Sequence, residues 1–157
     1  MATDLTDQEK TLIREKIREK YGQAAVSPAG CFSYPNRVQG LRQLGYPEEC
    51  GLVGFEGRVV GVDITPGMVI RAWELAALLP FRNLSFQVAT AESLPFPPQF
   101  FDAVTSNGIF NLVIDKERAA QEIFRVLKPG GRLLLADMLL VAPLPPERAD
   151  LIENWYQ

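Results

Sequence analysis

The sequence predicts an α/β protein: a partial doubly wound, mostly parallel sheet of about four strands under an N-terminal helical leader. Three observations carry this expectation. From Arg58 onward, short apolar runs alternate with longer amphipathic stretches, the rhythm of strand–helix–strand units. Some runs, such as Leu133-Leu134-Leu135-Ala136, are apolar without interruption, as strands covered on both faces are. The 157 residues make one domain. Subtracting a leader of residues 1–56 leaves 101 residues, 57–157, enough for roughly four strand–helix units of about 25 residues each.

The leader begins with Thr6-Asp7-Gln8-Glu9, a capping box in which Thr6 accepts from the first turn and Glu9 reaches back. A helix follows to about Tyr21. Ile13, Ile17 and Tyr21, with Leu12 beside them, form its apolar face. Arg14, Glu15, Arg18 and Glu19 form a solvated face with i,i+4 pairing. Residues 22–57 are rich in Gly and Pro, and a short helical piece around Val38 to Leu44 ends at Gly45 and Pro47. This stretch reads as a leader over a domain or as a flap near a site.

Residues 58–63 form the first strand. Thr65 is suited to cap the next helix and Pro66 to occupy its first position; that helix runs from Gly67 to Leu79 and stops at Pro80. Residues 84–88 and 101–106 are strands separated by a Pro-rich loop. A helix spans Asp115 to Leu127 with Ile123, Val126 and Leu127 on one face. Lys128-Pro129-Gly130-Gly131 stops it, with a glycine in the left-handed helix ending. A strand over 132–137, a loop and a final helix opening at Pro146 or Glu147 complete the order.

Composition removes several classes of function. With 16 Lys+Arg against 19 Asp+Glu, the net charge of -3 offers no broad footprint for nucleic acid. The absence of histidine excludes a His-based triad, a His proton shuttle and a His-ligated metal. Two cysteines make neither a four-cysteine zinc site nor a disulfide scaffold. No run approaches the roughly 18 apolar residues of a membrane span, and the polar, acidic N-terminus is no signal peptide. The expectation is a soluble, cytoplasmic protein with no metal and no membrane partner.

In open α/β sheets ligands sit beyond the carboxyl ends of the strands. Asp63, with Ile64 next to it, stands there after the first strand. It suits the two ribose hydroxyls of a nucleoside cofactor, and equally suits helping Thr65 cap the next helix. After the second strand, residues 90–96 offer backbone to an adenine edge with Leu94 and Phe96 as walls, or form an ordinary loop with its apolar residues tucked inward. After the third, Ser106-Asn107-Gly108-Ile109-Phe110-Asn111-Leu112 either lets a ligand approach the backbone or is a strand end with Asx-turn chemistry.

Gly61-Val62-Asp63, Ala91-Glu92-Ser93-Leu94-Pro95-Phe96, Phe101-Asp102-Ala103-Val104 and residues 124–133, Phe-Arg-Val-Leu-Lys-Pro-Gly-Gly-Arg-Leu, resemble in order and spacing the class I S-adenosylmethionine-dependent methyltransferases, whose fold is Rossmann-like. The match covers residues 57–140. A finer likeness, to the arsenite methyltransferase branch, rests on residues 31–35, on residues 44–49, and on residues 106–112 followed by Asp115-Lys116. The resemblance implies S-adenosylmethionine as cofactor and a small-molecule methyl acceptor. It implies that Asp63 holds the ribose, that Ala91 through its backbone, with Glu92, meets the adenine, and that Ser106 and Asn107 lie beside the methionine part and the methyl group. It names no general base; Asp102, at a strand start, is at the opposite end of the sheet.

The sequence departs from that family in three places. Thr90 stands where the family usually has Asp. Gly108 stands where arsenite methyltransferases have a cysteine after Ser-Asn, leaving Cys31 and Cys50 as the thiols. Gly51, Gly54 and Gly57 lie at three-residue spacing but without the strand–turn–helix context of a cofactor-binding glycine turn. The simplest reading is that the family's first strand and helix are lost near Cys50 to Val53, and that the chain stops before the final antiparallel strands. The strand over 57–63 then pairs directly with the strand over 101–106 or leaves an open edge, and exposed edges predict marginal stability or a homodimer. A non-catalytic remnant of such an enzyme, and a nicotinamide-dependent oxidoreductase using Asp63, are the alternative functions.

Overall fold

The protein was analysed as a computed structural model, which describes residues 5–26, 57–79 and 82–137. The capping box forms: the Thr6 N–H donates to Glu9 Oε2 at 2.7 Å and the Glu9 N–H to Thr6 Oγ1 at 3.3 Å. Helix α1 runs over Asp7–Val26, five residues beyond the expected end at Tyr21, because no glycine or proline signal lies at Tyr21 strong enough to stop it; Gly22 is carried inside the helix. Ile13 and Ile17 are buried as expected and Ala24 joins them, whereas Leu12 is 43% exposed. One residue before Ile13 is a turn of about 100° off the buried stripe.

Two compact units follow from the contacts, residues 19–88 and residues 1–18 with 89–157. In the first, β1 (Val59–Asp63), α2 (Pro66–Ala76) and β2 (Leu84–Val88) make a parallel βαβ unit. The register is unbroken from Val59↔Leu84 to Asp63↔Val88. Thr65 is the N-cap and Pro66 opens the helix, as its fixed φ and missing N–H favour. Val69 is buried, and Trp73 turns its ring edge-on to Phe86 at 5.3 Å while its Nε1–H donates to the Phe86 carbonyl at 3.1 Å. These contacts seat α2 on β2.

In the second unit, β3 (Phe101–Asn107), α3 (Lys116–Val126) and β4 (Leu127–Ala136) repeat the arrangement. Asp115 caps α3 by accepting from the Arg118 N–H at 2.9 Å. Ala119, Glu122, Ile123 and Val126 form its buried stripe. The helix ends at Val126, and Leu127, expected as its last residue, already has strand geometry (φ -75°, ψ 136°) and pairs with Phe101. The Lys128–Gly131 run is therefore a bulge within the ladder, which resumes at Ala103↔Arg132. Gly130 takes φ +78°, but inside this bulge and not at the helix ending where a left-handed glycine was expected, because the helix already stops at Val126.

The expected four parallel strands are present. They hydrogen-bond as two pairs, β1–β2 and β3–β4. Of the two alternatives for the strand ending at Asp63, the open edge holds among the described residues. Leu133, Leu134 and Leu135 are 47%, 58% and 46% exposed, where a strand covered on both faces was expected; successive side chains alternate between the two faces, so neither face of this run is fully covered among the described residues. Among the described residues no helix is long and apolar enough to cross a membrane. The helical piece near residues 38–44 and the helix from 146 onward lie outside the described residues.

Candidate functional site

The first group of site residues stands at the carboxyl end of β1. Asp63 closes the strand, and its Oδ1 accepts from the Thr65 N–H at 2.7 Å. The buried Thr65 hydroxyl meets no partner at hydrogen-bonding geometry, though it faces the same carboxylate. Thr65 makes no side-chain cap bond to the first turn of α2; the Asp63 side chain instead holds the Thr65 N–H, fixing the backbone that leads into the helix. Burial pushes the Asp63 carboxyl above its ordinary pKa, against the lowering pull of the Thr65 N–H. Desolvation of a carboxylate at a strand end stores electrostatic need that a pair of hydroxyl donors would meet. A carboxylate has about four acceptor directions, so the bond to Thr65 leaves capacity for a vicinal diol. Ile64 is half-buried between them.

The second group belongs to the other unit. Thr90 and Ser93 form a tight turn, with the Ser93 N–H donating to the Thr90 carbonyl at 3.1 Å. Ala91 and Glu92 sit at its tip. The Glu92 carboxylate accepts from the Asp115 N–H at 3.1 Å and from Arg14 at 3.5 Å, and its carbonyl accepts from Arg118 Nε at 3.3 Å. Glu92 therefore ties the loop to the start of α3 and to α1. Among the described residues no hydrogen bond takes the Ala91 N–H.

Further along, the Leu94 N–H donates to Glu122 Oε2 at 2.8 Å, and Arg125 donates to the carbonyls of Leu94 and Phe96 at 2.9 and 2.7 Å. Glu122 and Arg125 are themselves paired at 2.7 and 2.8 Å. The Arg125 guanidinium and the Leu94 N–H overcome burial and hold the Glu122 carboxyl down at about 2. Phe96 at the end of this loop clusters with Phe100 and Phe101, stacked on the first and edge-on to the second, with ring centroids 4.8 to 5.9 Å apart.

Ser106 and Asn107 end β3 in register with Leu135 and Ala136. Ser106 is half-buried and Asn107 exposed. Gly108 follows at φ +68° and donates its N–H to the Ala136 carbonyl at 2.8 Å. The next loop is held by Asp137, whose Oδ2 accepts from the Asn111 N–H at 3.1 Å, and by Lys116, whose Nζ donates to the Val113 carbonyl at 2.7 Å. Burial pulls the Lys116 pKa down, against Asp137 and Glu92. At the other end of this strand pair Asp102 meets Lys128 at 2.8 Å, away from these groups.

Asp63 and Ile64 thus share one unit, and Ala91, Glu92, Ser106 and Asn107 share the other. Each set lies at or just beyond the carboxyl end of a parallel pair. Cys31, Cys50, Gly51 and Gly54 lie outside the described residues. Sequence reasoning missed Glu122 and Arg125. The available signal was Glu122 itself, a charge in helical register with the apolar Ala119, Ile123 and Val126, a position that requires a partner. Among the described residues no cluster of acidic or sulfur side chains is arranged to hold a metal.

A family described as a methyltransferase domain matches residues 41–157, starting upstream of residue 57. The chain is 37% identical over 95 residues to an arsenite methyltransferase of Halobacterium salinarum, covering 60% of this chain and 24% of that protein. It is 42% identical over 96 residues to the ubiquinone/menaquinone biosynthesis C-methyltransferase UbiE of Serratia proteamaculans, covering 59% and 38%. Among solved structures it resembles an arsenic(III) S-adenosylmethionine methyltransferase from Chlamydomonas reinhardtii, with a TM-score of 0.54 and 35% identity over 60% of this chain and 35% of that one. The chain spans about a quarter to two fifths of the length of these relatives.

Proposed function

The chain belongs to the methyltransferase-domain family, whose cofactor is S-adenosylmethionine, and we propose that it binds this cofactor and directs methyl transfer to a small organic acceptor. When bound, the cofactor would supply an electrophilic methyl group on a sulfonium, open to in-line attack by an acceptor nucleophile. The contribution of this chain is orientation and exclusion of water.

The half-buried Asp63 carboxylate carries the reading. It would accept the two ribose hydroxyls, with Ile64 flanking them. The Ala91 N–H would meet the adenine edge. Glu92, already engaged by Asp115 and Arg14, would shape that loop rather than touch the base. Ser106 and Asn107 would line the side of the site where the methyl group is delivered.

The acceptor is read as organic because trivalent arsenic calls for thiolate ligands. Gly108 offers none, and its φ of +68° disfavours the cysteine that the arsenite branch carries there.

Calorimetric titration with S-adenosylhomocysteine tests the reading. Micromolar binding by the unaltered chain, abolished in Asp63→Ala, is the expected result. Absence of binding by the unaltered chain refutes it and favours a non-catalytic remnant.

A further inference from the structure

We propose that Glu122 and Arg125 are positioning residues for the cofactor's adenine, setting from α3 the backbone of the loop over residues 91–96. The inference rests on the cofactor reading above and concerns how the adenine-facing edge acquires its shape.

α3 holds this loop at residues 92, 94 and 96. The Glu92 carbonyl accepts from Arg118 and its carboxylate from the Asp115 N–H. Leu94 is held at both its N–H, by Glu122, and its carbonyl, by Arg125. The Phe96 carbonyl takes the other arm of the same guanidinium. Beside these points the Ala91 N–H is left to a ligand among the described residues.

The choice of side chains is informative. Glu122 is 6% exposed and sits within the apolar stripe of Ala119, Ile123 and Val126. Burying a carboxylate, even against a half-exposed arginine, gains little stability over a well-packed apolar residue of similar volume, so stability alone does not call for this pair. A forked guanidinium provides fixed bond directions that an apolar residue cannot. Here one Arg125 reaches two carbonyls and a carboxylate at 2.7 to 2.9 Å.

The test compares S-adenosylhomocysteine with S-inosylhomocysteine, whose purine N1 carries a proton and cannot accept from a backbone N–H. Both are titrated by calorimetry into the unaltered chain, Arg125→Lys and Glu122→Gln, each checked for folding by circular dichroism. The unaltered chain is expected to prefer the adenine ligand by about tenfold, the worth of one well-placed hydrogen bond. Arg125→Lys keeps a positive charge but loses the fork, and the preference should fall towards unity. Glu122→Gln keeps an acceptor for Leu94 and should fall part of the way, which preserves the test if the lysine variant does not fold. A folded variant that retains the full preference, or weakens both ligands equally, overturns the positioning role and leaves the cofactor reading standing. Failure of the unaltered chain to bind either ligand removes both.

Discussion

In the β1–α2–β2 unit the crossover helix buries Val69, and its link to the sheet runs through the ring and N–H of Trp73 against Phe86. In the β3–α3–β4 unit the helix buries Ala119, Glu122, Ile123 and Val126, and its charged side chains reach out to hold a loop. The first ladder is regular along its whole length; the second is interrupted by the Lys128–Gly131 bulge. A strand end that needs only a capped helix is shaped locally, by Asp63 and Thr65. A loop of several residues needs bonds from elsewhere in the chain, and α3 supplies them.

The largest expected contrast is in packing. Ile123→Ala should destabilise the protein by about 2–5 kcal/mol, against about 1.5 kcal/mol for Val69→Ala, read from urea denaturation. Equal losses would break the distinction between a deep and a shallow helix seat.

Acid titration separates the units by sign. Glu122 is held at about 2, below its ordinary 4.5. Its contribution is complete above about 4.5 and drains away as pH falls towards 2. Asp63 is raised above its ordinary 3.8, so its contribution is complete below 3.8 and is lost as pH rises through its folded value. Acidification from about pH 5 to about pH 3 should therefore weaken the β3–α3–β4 unit and strengthen the β1–α2–β2 unit, followed residue by residue in NMR-monitored denaturation. Asp63→Asn should abolish the change in the β1–α2–β2 unit. A common direction in both units would refute the assignment.

The smallest effects come from two glycines. A Cβ on Gly61 would lie 2.5 Å from Phe86 Cδ1, whereas on Gly130 it would meet open space but a backbone at φ +78°. Either change to Ala should cost about 1–2 kcal/mol. Thermal denaturation of double variants distinguishes them: Phe86→Leu should rescue Gly61→Ala and leave Gly130→Ala unrelieved.

Much of this was legible in the sequence because the signals were local. Thr6 and Glu9 announce a capping box, Pro66 opens a helix, and the apolar runs at 84–88 and 101–106 are strands at nearly the expected bounds. The errors arose where distant partners decide. Leu127 has the right spacing to continue the apolar face of α3, but its backbone pairs with Phe101. The apolar run at Leu133–Leu135 does not announce which elements will cover its two faces. At Asp63 the sequence left helping Thr65 cap the helix and ribose binding as alternatives; the carboxylate takes the Thr65 N–H, no side-chain cap bond forms, and capacity for the ribose remains. The hold of Glu122 and Arg125 on the loop went unread because there they meet main-chain atoms of Leu94 and Phe96, which carry no residue identity.

The Arg125 fork also sets a rule for recombination. Residues 92–96 and residues 115–125 are separated in sequence but joined by five hydrogen bonds, and the Gln99 N–H adds one to the Arg125 carbonyl just past the loop. Chimaeras with relatives that exchange one segment without the other would pair a foreign main-chain path with native donors. Crossovers placed before residue 89 and after residue 126 carry the loop and its template across as one inheritable piece.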